Sequence, residues 1–213
     1  MPGIEKPLLR GVSHHFACFA ALGAGVVLVG MSPSLQAAAA TTLYAATLAA
    51  MFGISAAYHR GSWGPRARAW WRRADHATIF LFIAGSYTPI CMLAIGGPSG
   101  ARLLALVWGG AALGALQALF WLRAPRVVTA LLYVALGWVL VAYWPDVSSA
   151  LALAPRVLLL AGGALYTAGA IVYALRRPDP APDVFGYHGL FHALVIAAAV
   201  CHFAAVVIVA RGL

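Results

Sequence analysis

Along the chain, long apolar runs alternate with short stretches of arginine, proline, glycine and serine. Seven runs stand out: Val12–Met31, Ala37–His59, Asp75–Ile95, Leu103–Leu122, Val127–Trp144, Val157–Leu175 and Tyr187–Ala210. A helix needs roughly 20 residues to cross the hydrocarbon layer of a bilayer, and each run reaches or nearly reaches that length. The breaks are Ser32-Pro33-Ser34, an arginine-rich patch after His59, Gly96-Gly97-Pro98, Ala124-Pro125, Pro145-Asp146, Ala154-Pro155 and Arg177-Pro178-Asp179-Pro180. The proline, glycine and serine of these breaks disrupt helices by their backbone chemistry, and the arginine patch ends its apolar run by charge. The two-residue alternation of a membrane barrel is absent, and a helix satisfies its own backbone groups in lipid. The pattern therefore predicts an all-α integral membrane protein, a bundle of seven transmembrane helices in one domain over residues 1–213.

Composition agrees. Of 213 residues, 63% are hydrophobic and only 9% charged, against about 25% charged in soluble domains. The first run has no cleavage-like end and reads as a retained span. Charge then sets an orientation. With the N-terminus and every second loop on one side, that side holds eleven basic residues: Lys6, Arg10, Arg60, Arg66, Arg68, Arg72, Arg73, Arg123, Arg126, Arg176 and Arg177. The other side holds three, Arg102, Arg156 and Arg211. Such a bias predicts a cytoplasmic N-terminus and, after seven crossings, an outer C-terminus. The net charge of +9 follows from these arginines, which suit anionic headgroups. No module for RNA or DNA is present. The expected location is the bacterial inner (plasma) membrane, with membrane lipids as partners.

Smaller features add less. Cys18, Cys91 and Cys201 all lie within spans, form no CxxC and imply no disulfide framework. Gly110 and Gly114 form a GxxxG on the fourth span, which points to close helix packing within the chain or between copies in an oligomer. Gly85, Ser86 and Pro89 suggest a kink in the third span. No inverted repeat of the transporter kind is visible.

The titratable residues carry the chemistry. In this topology the second span ends at His59, the third starts at Asp75 and the seventh starts near His188. These residues, with His192, therefore lie at one depth. His188 and His192 are four apart, so both imidazoles share a helix face about 6 Å apart along the axis. Ser55 lies on the His59 face, one turn deeper. Each residue alone has a bland reading: an interfacial histidine, a chance H-x-x-x-H, or, for Asp75, an N-cap of the third helix. Together, three histidines and a carboxylate within one membrane level suggest a three-histidine zinc site with an open fourth position, the pattern of catalytic zinc. An aspartate beside it can accept a proton. His14 and His15 fall near the same level and read as pocket-wall or interfacial residues, His76 as interfacial. His202 lies about 21 Å beyond His188 on the helix and reads as a buried partner of some other polar group.

Three stretches resemble the hemolysin III family, the bacterial branch of the progestin and adipoQ receptor family. They are Ser55-Ala56-Ala57-Tyr58-His59, Asp75 through Pro89, and Tyr187-His188-Gly189-Leu190-Phe191-His192 followed by Cys201-His202-Phe203. The resemblance implies seven helices, an inside N-terminus and a zinc site. It also implies that His59, His188 and His192 are the ligands, that Asp75 contacts a water on the zinc and that Ser55 lies beside Asp75. Gly189 departs from the glutamate or glutamine expected there. The long N-terminal region of the animal receptors is absent. Two functions stay open: a zinc-dependent hydrolase of a lipid amide or ester, as ceramidases of the wider superfamily suggest, and a non-enzymatic lipid sensor, receptor or pore-former with structural zinc. Bis-histidine haem binding is a third reading.

Overall fold

The computed structural model describes residues 9–121 and 124–212. Lys6 and Arg123, two of the eleven basic residues, and Leu122, the expected end of the fourth span, lie outside the described residues. The helices are α1 (Val12–Gly30), α2 (Leu35–Arg60), α3 (Pro65–Pro89), α4 (Gly97–Phe120), α5 (Arg126–Gly137), α6 (Trp144–Ala150), α7 (Leu153–Leu175) and α8 (Tyr187–Arg211). Helix α3 continues through a π turn, Ile90–Ile95, and a 3-10 stretch, Trp138–Tyr143, joins α5 to α6. Among the described residues that makes seven helical spans long and apolar enough to cross a membrane. Among the described residues there is no strand, only an isolated bridge between Ala181 and Phe185.

Local chemistry explains the ends. Ser34 caps α2, its hydroxyl accepting the Ala37 N–H at 3.1 Å and so pairing one of the helix's orphan donors. Proline opens the first turn of α3, α4 and α6, where its missing N–H is not needed. The expected kink near Gly85, Ser86 and Pro89 takes the form of the π turn that starts after Pro89. In the fifth span, Pro145 cannot donate to the carbonyl four residues back, and the preceding residues tighten into the 3-10 stretch. The Tyr87 hydroxyl serves the loosened backbone there. It donates to Gly137 O at 2.6 Å and accepts the Leu140 N–H at 3.0 Å.

Four boundaries differ from the sequence expectation by four residues or more, one of them the start of the fourth span, at Gly97 rather than Leu103. The third helix starts at Pro65 rather than Asp75, so only Gly61–Gly64 connects α2 to α3. Charge ended the apolar run, but arginine is a good helix former. The extra turns carry Arg66, Arg68, Arg72 and Arg73 beyond the apolar stretch. Asp75 is therefore interior to α3, and its reading as an N-cap is overturned; Gly64 holds that position. Likewise the fifth span runs on past Trp144 to Ala150, and the sixth begins at Leu153 rather than Val157. In both cases a charged residue, Asp146 or Arg156, sits in the first helical turn.

The spans pack as a ring. Helix α1 packs on α2, α2 on α3, α3 on α4, α5 on α7 and α7 on α8, and α1 touches α8 to close it. Helix α3 is the most central: 61% of its apolar window is buried, against 11–39% in the other spans. Gly110 and Gly114 of α4 lie directly against Leu136 and Phe80, leaving no room for a side chain. Their close packing is thus within the chain. Phe16, Val26, Leu35, Leu113 and Phe120 point outward, as a lipid-facing surface requires. All three cysteines are free.

Candidate metal centre

The last turn of α2 and the first turns of α8 meet at the arginine-rich end of the bundle. Helix α8 is anchored there by Asp179, whose carboxylate accepts the Tyr187 N–H at 2.6 Å. That bond fixes the helix start one residue before His188. His188 and His192 follow on one face, and His59 comes from the end of α2. All three are buried, His192 almost completely. Each offers a ring nitrogen, and these nitrogens lie within 4.8 Å of one another. His59 Nε2 and His188 Nε2 are 3.1 Å apart.

Metal chemistry fits this arrangement. Two nitrogens held about 2.0–2.1 Å from one tetrahedral zinc lie ~3.3–3.4 Å apart, close to the observed 3.1 Å. His192 Nδ1 is enclosed and has no hydrogen-bond partner among the described residues; an ion shared by the rings would help offset the cost of gathering such groups away from water. A haem held between His59 and His188 does not fit, because nitrogens 3.1 Å apart leave no space for a macrocycle between them.

Asp75 stands next to the histidines, outside the three-ligand set. Its Oδ2 is 3.9 Å from His59 Nε2 and 3.7 Å from His76 Nδ1. Ser55 interacts with the Asp75 carboxylate, and its hydroxyl lies 2.9 Å from His14 Nδ1. The sequence expectation thus places His59, His188, His192, Asp75 and Ser55 together, and the structure does bring them together.

The surroundings hold residues that the sequence reading ranked lower. His14 is buried against His192 and belongs to the pocket wall, while His15 is exposed beside Phe16 and Phe19. The missed signal was the buried stripe His14, Ala21, Gly25 and Leu28 on α1, which points His14 inward. His76 is more engaged than an interfacial role implies: its Nδ1 donates to Arg72 O at 2.8 Å and its Nε2 is 3.3 Å from the Tyr173 hydroxyl. Tyr133 donates to the His76 carbonyl at 2.9 Å. No motif marked either tyrosine. Gly11 caps α1 with φ +78°, and a side chain there would meet His59 Cβ at 2.6 Å. Gly189 is buried next to Phe185 and leaves the three-histidine set intact.

Two spaces meet at the site. One is a cavity that runs up the bundle from Asp75 and His188 to Trp138 and His202, walled largely by apolar groups such as Ile79, Phe82, Val134 and Val195. The other is a polar vestibule at the arginine-rich end, lined by Arg10, Arg72, Arg73 and Arg126. Asp75, His76, Tyr173 and His188 border both.

Similarity to known proteins follows the same stretches. The sequence pattern of a family described as haemolysin-III related matches residues 3–203. "Hemolysin-3" of Bacillus cereus is 27% identical over 173 residues, covering 80% of this chain and 78% of that protein. "Hemolysin-3 homolog" of Bacillus subtilis (strain 168) is 29% identical over 122 residues, covering 57% of this chain and 54% of that protein.

Proposed function

We propose, from the premise that the chain belongs to the haemolysin-III related family, that it is a zinc-dependent hydrolase of an amide or ester bond in a long-chain lipid. One observation carries this: the histidine site lies between an apolar cavity and a polar vestibule whose walls share Asp75, His76, Tyr173 and His188. An amphiphile lying across that junction has its chain among Phe82 and Val195 and its polar linkage at the site. Zinc, when bound, supplies a Lewis acid for a carbonyl and a more acidic water. His59, His188 and His192 are its proposed ligands. Asp75 accepts a proton at a carboxylate oxygen, and Ser55 and His14 hold that carboxylate and the His192 ring in place. The cavity wall keeps water from the chain, and the vestibule arginines receive polar products. The protein acts in the bacterial plasma membrane, with the arginine-rich end in the cytoplasm.

The printed name of the two relatives favours a second reading, a membrane-lysing or lipid-sensing protein in which the metal is structural. The apolar wall of the cavity suits a lipid chain better than a water-filled pore. The deciding experiment uses purified protein in lipid nanodiscs. Elemental analysis is expected to give about one zinc per chain, lost in a His188→Ala/His192→Ala double variant. Fatty acid release from long-chain amides and esters is expected from wild type and not from His59→Ala. Full zinc in the double variant would sink the metal assignment. Stoichiometric zinc without release from any lipid, together with dye leakage from liposomes, would establish the second reading.

A further inference from the structure

We propose that the end of the cavity remote from the histidines is a second polar subsite. It is built by Tyr166 and His202 and receives a hydroxyl group on the far part of an otherwise apolar ligand. The proposal rests on the reading that the cavity holds a lipid chain. His202 is ten residues beyond His192 on α8, ~15 Å along the axis, and both residues border the cavity. His202 Nε2 donates to Leu159 O at 3.3 Å. Nδ1 is then left as the acceptor, enclosed and without a partner among the described residues. The Tyr166 hydroxyl is equally enclosed and unpartnered, and its ring stands at 84° to the His202 ring with centroids 5.3 Å apart.

The place is shaped for that imidazole. Gly162 of α7 lies directly under the His202 ring, where a side chain would collide with it. No arginine, lysine or carboxylate borders this end; Asp75, at the other end, is the one charged residue lining the cavity among the described residues, histidines aside. The subsite therefore suits a neutral group. In the proposed subsite a single hydroxyl donates to Nδ1 and accepts from the tyrosine O–H. An unpaired buried acceptor and an unpaired buried donor both cost free energy, so a ligand with this hydroxyl is preferred over one without it.

The test measures binding of saturated fatty acids and their ω-hydroxy counterparts, over a series of chain lengths, to the zinc-loaded protein in nanodiscs. In wild type one length should show the hydroxy acid binding about tenfold tighter than its parent, the gain from a well-made buried hydrogen bond. Tyr166→Phe keeps the ring and should abolish that advantage, as should His202→Phe, each read as the ratio of hydroxy-acid to parent-acid affinity within the same variant. Parent acids binding with no hydroxyl advantage at any length would overturn the subsite and leave the lipid cavity standing, as would an advantage that survives in both variants. Failure of every acid to bind would overturn the lipid cavity and the subsite with it.

Discussion

His14 lies flat on His192, with ring centroids 3.7 Å apart and planes 7° from parallel. The same ring reaches Ser55 Oγ through Nδ1 at 2.9 Å. One side chain on α1 thus ties the floor of α8 to α2, and Ser55 extends the link to Asp75 on α3. Residues that orient metal-binding histidines commonly matter almost as much as the ligands themselves.

His14→Ala is therefore expected to weaken metal binding by roughly 10–100-fold without abolishing it. His14→Phe keeps the stacked face and loses only the bond to Ser55, so it should fall between the two. Chelator competition with each variant measures this. Wild-type affinity in His14→Ala would show that the stack merely fills space.

Gly11 gives a sharper backbone test. Its φ of +78° costs an L-residue about 1–2 kcal/mol, and its added Cβ would press on His59. Gly11→Ala is expected to lower thermal stability and metal occupancy together. Gly23→Ala on the same helix meets nothing within 4 Å and should change neither. Equal metal content in the two variants would show that the approach of Gly11 to His59 relaxes without consequence.

Much of this was legible in the sequence because lipid imposes simple rules. Seven apolar runs of spanning length became seven spans, and levelling them by charge brought His59, Asp75, His188 and His192 to one end. The boundaries were less legible. Charge marks the edge of the hydrocarbon layer, whereas a helix obeys backbone hydrogen bonding, so α3 runs ten residues further back than its apolar part, to Pro65. That difference removed the capping role from Asp75. His14 was harder still: its place depends on the rotation of α1 against α8, which local patterning fixes only through the spacing of small buried residues. The hydrogen bonds of Tyr173 and Tyr133 to His76 depend on side chains meeting across the bundle, which no motif records.

Orientation can be checked directly. The basic residues at the end that carries the histidines predict a cytoplasmic placement of that end. A reporter that fluoresces only in the cytoplasm should be dark when fused after Leu213, and one that is active only outside should work there. The reverse pattern would place the vestibule outside the cell and remove the premise that its arginines meet cytoplasmic water.

Asp75 separates the two functional readings. It sits inside α3, where the Thr78 hydroxyl bonds its carbonyl at 3.0 Å whatever its side chain, so Asp75→Asn leaves the helix intact. The amide has the shape of the carboxylate and still faces His59 and Ser55, but it cannot take up a proton as a base. The three imidazoles remain, so zinc should stay at the wild-type level. If Asp75 is the base, lipid hydrolysis should fall by a factor on the order of 10²–10⁴, with little change in the substrate concentration needed for half-maximal rate. Asp75→Ala should be as slow and should also loosen Ser55, which a drop in thermal stability would report. Hydrolysis at the wild-type rate by Asp75→Asn would deny the carboxylate its part in the chemistry. Retained zinc with lost hydrolysis would separate the metal's anchoring from the proton transfer, assigning the first to His59, His188 and His192 and the second to Asp75.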